Sequence, residues 1–272
     1  MTKNQLGKTN SQLTFDQQKA FESFCSWVED DHSDQPFVLS GYAGSGKTFL
    51  SMKFLRKIED QSFCWTVAAP THKAVGVLRQ ALTKEGLKPT WYPSTIHRLL
   101  RLKLKRRGDV ELCERTDQTV NSLEDLGLVL IDEASMISSN LLEIVLQCAH
   151  PFKTRLIFVG DPAQLPPIGE PCSQVFSLKR SSTAQLNEVV RHQGPVLALA
   201  SRFRDGRLPC QAPPCLPLIK TSQGMTCFLE EKEWLVKAQA ALREAAAQDN
   251  PDAARILCYT NRTLEKLVPH VR

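Results

Sequence analysis

No apolar run in this 272-residue chain approaches the ~20 residues that a spanning helix needs. The strongest runs, Leu126 to Ile131 and Val196 to Ala200, are far shorter. The N-terminal stretch MTKNQLGKTNSQ has no apolar centre and does not read as a secretory signal. None of the nine cysteines forms a C-x-x-C pair; the closest, Cys210 and Cys215, are separated by Gln-Ala-Pro-Pro. A zinc knuckle or a disulfide scaffold is therefore not expected, and the thiols read as reduced in a cytoplasmic protein. No internal repeat points to a solenoid. With 42% hydrophobic and 23% charged residues, neither a disordered nor a collagen-like chain fits. The length suggests about two domains.

Acidic residues are missing from one place in particular. Arg98 to Arg107, RLLRLKLKRR, holds six basic residues and no acidic one, while the whole chain carries only +5. Such a stripe on an otherwise near-neutral protein suits a polyanion, or else is a solvated face; charge alone leaves both open.

The apolar pattern alternates between strand and helix. Residues 13–28 read as an amphipathic helix capped by Thr14. Short buried strands are expected at Phe37–Ser40, Cys64–Ala69, Leu128–Ile131 and Leu156–Val159. Helices are expected from Lys47 to Ile58, over 73–83 and from Leu141 to Ala149, which makes a parallel α/β sheet covered on both faces. Residues 102–116 alternate with period two around Arg107-Gly108-Asp109 and read as an inserted β-hairpin. Residues 209–217 contain four prolines and read as a stiff connection, followed by a helix over 231–248, a strand from Ile256 to Tyr259 and a helix from Asn261.

The chemistry sits at the ends of the strands. Gly41-Tyr-Ala43-Gly44-Ser45-Gly46-Lys47-Thr48 matches G-x-x-x-x-G-K-[ST] between a strand and a helix. Its glycines let backbone N–H groups approach phosphates at a helix N-terminus. Lys47 reaches the β- and γ-phosphates, and Thr48 offers a hydroxyl to Mg²⁺. Asp132 and Glu133 follow the third buried strand, where Asp132 can hold Mg²⁺ and Glu133 can activate water. The strand before Gly160 ends in a turn that presents Asp161 and Gln164, whose amide can sense a γ-phosphate. Pro70-Thr71-His72-Lys73 and Ser94-Thr95-Ile96-His97 each open a helix with groups suited to a nucleic-acid backbone. Trp91 and Tyr92 between them could stack on bases but read first as partly buried.

Taken together, the Gly41–Thr48 loop, APTHKAV, STIH, DEASM, GDPAQLPPIG and LNEVVRH follow the order found in superfamily 1B DNA helicases, and the chain resembles the RecD/Dda type. The resemblance covers about residues 13–272. It implies ATP and Mg²⁺ as cofactors, with single-stranded DNA and a DNA fork as partners. It implies 5′→3′ movement driven by ATP hydrolysis and no membrane association. Leu13 to Phe21 is similar to the family's adenine-reading motif, which puts Gln17 on the base. Arg191 would touch the γ-phosphate beside Glu133 and Gln164. Pro70, Thr71, His72, Lys73, Ser94, Thr95 and His97 would line the single-strand path. The hairpin, within about 98–122 and carrying Arg106 and Arg107, stands where the family has its strand-separating pin. Asn261, in CYTNR, is similar to the opening of the second motor domain and would also meet DNA. The expected organisation is a RecA-like motor domain over 1–208, a connection over 209–230 and an incomplete second RecA-like domain over 231–272. Later motifs of the family have no counterpart before Arg272, so unwinding by this chain alone is not expected. Two other readings stay open: a P-loop ATPase of another type (PhoH-like), and a nucleotide- or DNA-binding module without turnover.

Overall fold

The computed structural model describes residues 13–30, 35–61, 63–107, 110–190, 201, 230–250, 253–257 and 261–271. They fall into two units, Met1–His192 and Gln193–Arg272.

The first unit is built on a parallel sheet of β1 (Phe37–Gly41), β2 (Trp65–Ala69), β3 (Ser94–Thr95), β6 (Leu128–Ile131), β7 (Arg155–Gly160) and β8 (Ser182–Leu186). Its strand order is β3-β2-β6-β7-β1-β8. All five pairings are parallel, with Leu39 opposite both Val159 and Ala184. β4 (Lys103–Arg107) and β5 (Val110–Glu114) form a separate antiparallel hairpin between β3 and β6. The expected α/β class, parallel sheet and inserted hairpin are all present.

Alternation along each strand divides the core in two. Phe37, Leu39, Val67, Leu130, Ile157 and Val159 face α1 (Phe15–Glu29), α2 (Lys47–Asp60) and α3 (His72–Glu85). Val38, Ala68, Val129, Ile131 and Phe158 face α4 (Ile96–Leu99) and α5 (Ser139–Ala149). On the first side the Phe24 and Phe54 rings stack at 4.0 Å, and Phe37 meets both edge-on. This packing holds α1 and α2 beside β1, so the turn between β1 and α2 has a rigid base.

Two expectations change at the edges of the sheet. Ser94 and Thr95 form a two-residue strand, and the helix expected there begins only at Ile96. The Thr95 side chain explains the switch, since its Oγ1 accepts from the Arg98 N–H and caps α4. The strand β8 was not expected. Its sequence STAQL is mostly polar, because it lies at the end of the sheet and only Leu186 is fully buried.

In the second unit, α6 (Glu231–Ala247) and α7 (Asn261–Val271) pack on each other. The strand expected from Ile256 is not formed at Ile256 and Leu257, and Leu257 is 89% exposed. Among the described residues, no strand is paired with these two; Cys258 and Tyr259 lie outside the described residues. Among the described residues, no helix is long and apolar enough to cross a membrane.

Candidate nucleotide and nucleic-acid site

Every polar group expected from the nucleotide motifs within the described residues lies at the C-terminal edge of the sheet. β1 runs into the loop and α2 leaves it at Lys47. Gly44 and Gly46 have φ of +81° and +88°, a region that side chains with a Cβ seldom occupy. A Cβ on Gly46 would stand 2.5 Å from the Gln17 amide nitrogen, so this glycine also makes room for α1. Lys47 Nζ donates to the Gly41 and Tyr42 carbonyls at 2.8 and 3.1 Å. The ammonium is thus held over the loop that would receive phosphates. Ser45 Oγ is buried there without a hydrogen-bond partner, which fits a loop shaped to close on a ligand.

Gln17 belongs to this loop as well as to α1. With Thr14 it forms a reciprocal capping box: Thr14 N donates to Gln17 Oε1 at 3.1 Å and Gln17 N to Thr14 Oγ1 at 3.4 Å. Its Nε2 donates to the Ser45 carbonyl at 3.1 Å, and the side chain is 4% exposed. Both ends of the amide are therefore engaged within the protein.

Asp132 and Glu133 leave the end of β6, as expected. Burial pushes the Asp132 carboxyl up to about 6; the Glu133 N–H and Lys47 oppose this, and the Glu133 charge adds to it. An acid desolvated in this way is relieved by a cation. Hydroxyl and carboxylate oxygens from Thr48 and Asp132 suit Mg²⁺, a hard ion. Glu133 has φ of +55°, a costly conformation for a residue with a side chain. It opens the short 3-10 turn Ala134–Met136.

Ala43 and Asp161 depart from the expected picture. Ala43 N–H, expected to face phosphate, donates to Asp161 Oδ2 at 2.9 Å. Asp161 is not presented to solvent by its turn but is 2% exposed. A buried carboxylate must be hydrogen-bonded, and one of this carboxylate's partners lies 118 residues away. Gln164 is half-buried in the same turn. It lines a groove of about 320 Å³ with Thr71, Lys73, Glu133 and Met136.

Three hydrogen bonds tie the end of β8 and the segment after it to this region, two to the phosphate loop and one to α1. Tyr42 N–H donates to the Leu186 carbonyl at 3.4 Å, Val190 N–H to the Gly44 carbonyl at 2.9 Å, and Asn187 N–H to Asp16 Oδ2 at 2.9 Å. Arg191 lies outside the described residues.

The residues expected on the single-strand path open α3 and α4. Thr71 Oγ1 accepts from Ala74 N–H and Thr95 Oγ1 from Arg98 N–H, so both hydroxyls act as helix caps, and Thr95 is buried. His72 and Lys73 are exposed, while Pro70 and Ser94 are half-buried. His97 lies 3.2 Å from Cys113 Sγ, joining α4 to the hairpin. Trp91 packs against the core as expected, whereas Tyr92 is 74% exposed with the Arg79 guanidinium 4.2 Å from its ring. On the hairpin, Lys103 is exposed and Lys105 pairs with Glu114 at 2.6 Å, so the basic stripe is partly neutralised from β5. The side chains of Arg106, Arg107 and Asn261 lie outside the described residues.

The family described as AAA domain matches residues 12–212. The chain belongs to that family, and among its members it is of the superfamily 1B RecD/Dda type. It is 25% identical over 273 residues to a protein of Enterobacteria phage T4 named ATP-dependent DNA helicase dda, covering 97% of this chain and 57% of that protein. It is 30% identical over 192 residues to the RecBCD enzyme subunit RecD of Mycolicibacterium smegmatis, covering 62% of this chain and 33% of that subunit. The chain thus spans less than two thirds of either relative. Its fold is similar to that of the Pif1 helicase from Candida albicans, with a TM-score of 0.53, 19% identity, and coverage of 87% of this chain and 55% of that one.

Proposed function

We propose that this chain carries motor-domain machinery of an ATP-dependent DNA helicase that moves 5′→3′ on single-stranded DNA in the cytoplasm. The observation that carries the reading is one juxtaposition. The phosphate loop, the Asp132–Glu133 pair and Gln164 stand side by side at the ends of adjacent strands β1, β6 and β7. The names of the phage and mycobacterial relatives support it.

In this reading residues 1–208 are a RecA-like motor domain, 209–230 a connection, and 231–272 part of a second RecA-like domain. Lys47 and the N–H groups around Gly44, Ser45 and Gly46 bind the β- and γ-phosphates of ATP, while Gln17 addresses the adenine after releasing one internal bond. Thr48 and Asp132 hold Mg²⁺. The ion, when bound, neutralises charge on the phosphate oxygens. Glu133 accepts a proton from the water that attacks the γ-phosphorus as the bond to the bridging oxygen breaks. Gln164 senses the γ-phosphate, and Arg191 stabilises the charge that develops.

Pro70, Thr71, His72, Lys73, Ser94, Thr95 and His97 form the strand path at the same sheet edge. The hairpin with Arg106 and Arg107 faces the fork, and Asn261 adds a contact from the second domain. The groove that holds both Lys73 and Glu133 gives DNA and nucleotide a shared border.

The test is Lys47→Ala. Loss of a charge-assisted contact worth about 1.5–3 kcal/mol should weaken Mg·ATP binding by roughly ten- to a hundredfold. The fold should persist, because the Lys47 hydrogen bonds to the Gly41 and Tyr42 carbonyls lie within the loop itself. Equal affinity of the two proteins for a fluorescent ATP analogue would refute the assignment.

A further inference from the structure

Asp161 directly follows strand β7 in the site, yet none of the roles above uses it. Its two carboxylate oxygens serve two different pieces of chain. Oδ2 accepts from Ala43 N–H in the phosphate loop at 2.9 Å. Oδ1 accepts from Ala163 N–H in its own turn at 3.0 Å. The Asp161 carbonyl accepts from Gln164 N–H at 3.0 Å, so the turn that carries the γ-phosphate-sensing amide is folded around this residue.

The turn has little room to shift on its other side. A Cβ on the preceding Gly160 would stand 3.0 Å from Ala134 N and 3.2 Å from Ser135 N, just beyond Glu133. A local turn needs only the Oδ1 bond. The Oδ2 bond adds something a turn does not need, a rigid link from the turn to the loop. Because the carboxylate is 2% exposed, water cannot readily replace either bond if the two pieces move apart.

We propose that Asp161 is a positioning residue that fixes the distance between the phosphate loop and Gln164, so that Gln164 reads the γ-phosphate of a nucleotide bound in the loop. The inference rests on the nucleotide-binding reading above and extends it to discrimination between triphosphate and diphosphate. If the two pieces were uncoupled, Gln164 would still exist but would no longer be held in register with the phosphates.

The test measures the affinity ratio for a non-hydrolysable ATP analogue over ADP, both with Mg²⁺, by titration calorimetry. The proteins are wild type, Gln164→Ala, Asp161→Ala, Asp161→Asn and the Asp161→Ala/Gln164→Ala double variant. Wild type should prefer the triphosphate, and Gln164→Ala should lose about tenfold of that preference. Asp161→Ala should lose a similar factor, and the double variant no more than either alone, because both remove one interaction. Asp161→Asn keeps a single acceptor, so its ratio should fall between those of wild type and Asp161→Ala.

A merely structural role would weaken both nucleotides equally and leave the ratio at the wild-type value; that result overturns the proposal. So does additivity of the two substitutions. If Asp161→Ala does not fold, Asp161→Asn decides alone, and a wild-type ratio overturns the proposal. Failure of wild type to bind either nucleotide would instead overturn the functional reading, and the inference with it. Binding with an intact Gln164 effect but no Asp161 effect removes the inference only.

Discussion

The two halves of the sheet edge are built differently. On the nucleotide side, polar groups are locked across long stretches of chain: Gln17 to Ser45, Asp161 to Ala43, Val190 to Gly44. On the side proposed for DNA, the two threonine hydroxyls are satisfied within a turn: Thr71 Oγ1 accepts from Ala74 N–H and Thr95 Oγ1 from Arg98 N–H. Phosphates of one nucleotide demand fixed geometry, and long-range bonds supply it. A strand that must slide needs contacts that form and break. Exposed side chains such as His72 and Lys73, set on capped helix starts, suit that demand.

The comparison breaks most visibly at Glu133. If the nucleotide side is preorganised for hydrolysis, Glu133→Gln should slow DNA-stimulated ATP hydrolysis by about 10²–10⁴-fold, the usual worth of a positioned general base. Nucleotide affinity should stay close to wild type, since the amide keeps the shape of the side chain. Steady-state hydrolysis alongside equilibrium binding checks both halves. Unchanged hydrolysis would remove Glu133 from the chemistry.

The DNA side is tested through salt. Replacing Arg101, Lys103, Lys105, Arg106 and Arg107 with Gln should weaken single-stranded DNA binding. If all five neutralise phosphates, the slope of log affinity against log salt should flatten by about 3.5, at ~0.7 per charge. Fluorescence anisotropy over a range of salt concentrations measures it. The Lys105–Glu114 pair suggests a smaller change than the full count. An identical slope would make the stripe a solvated face.

The capping threonines sharpen the contrast further. Thr71→Ala removes the cap of α3 and should cost about 1 kcal/mol of stability, while Thr71→Ser should keep most of it. If Thr71 also touches DNA through its remaining hydroxyl proton, Thr71→Ala should weaken DNA binding by more than thermal melting accounts for, and Thr71→Ser should restore both. Loss of stability alone would assign Thr71 to the fold.

The legibility of the molecule follows the same division. The strands β1, β2, β6 and β7 and the loop between β1 and α2 could be read from the sequence because unbroken apolar runs precede the motif residues. The edge strand β8 could not, because a strand half open to solvent carries a polar sequence. At the other end of the chain, Ile256 and Leu257 looked like strand residues because they are apolar, yet among the described residues they form no strand and Leu257 lies in solvent. Asp16, which anchors the segment after β8, was missed as a site residue although it sits beside Gln17. Asp161 was legible as a strand-end acid but not as a buried one. What decides its burial is an N–H in the phosphate loop, and no local pattern encodes a partner so distant.

The smallest expected effect concerns the balance of charge on the hairpin. Lys105 and Glu114 have side chains 63% and 45% exposed, so their ion pair contributes little to folding, within about 0–1 kcal/mol. Glu114→Gln should leave the melting temperature nearly unchanged. It also leaves Lys105 without its neutralising partner and removes one negative charge from a surface proposed to meet phosphates. Single-stranded DNA should therefore bind slightly more tightly at low salt, by a factor of a few, and the gain should fade as the Debye length shrinks. The direction separates the two possible roles of the pair. If the ion pair served to hold the hairpin in shape for DNA, Glu114→Gln would weaken binding at every salt concentration. If it tempers a mobile contact, as the sliding surface requires, binding strengthens only where electrostatics are unscreened.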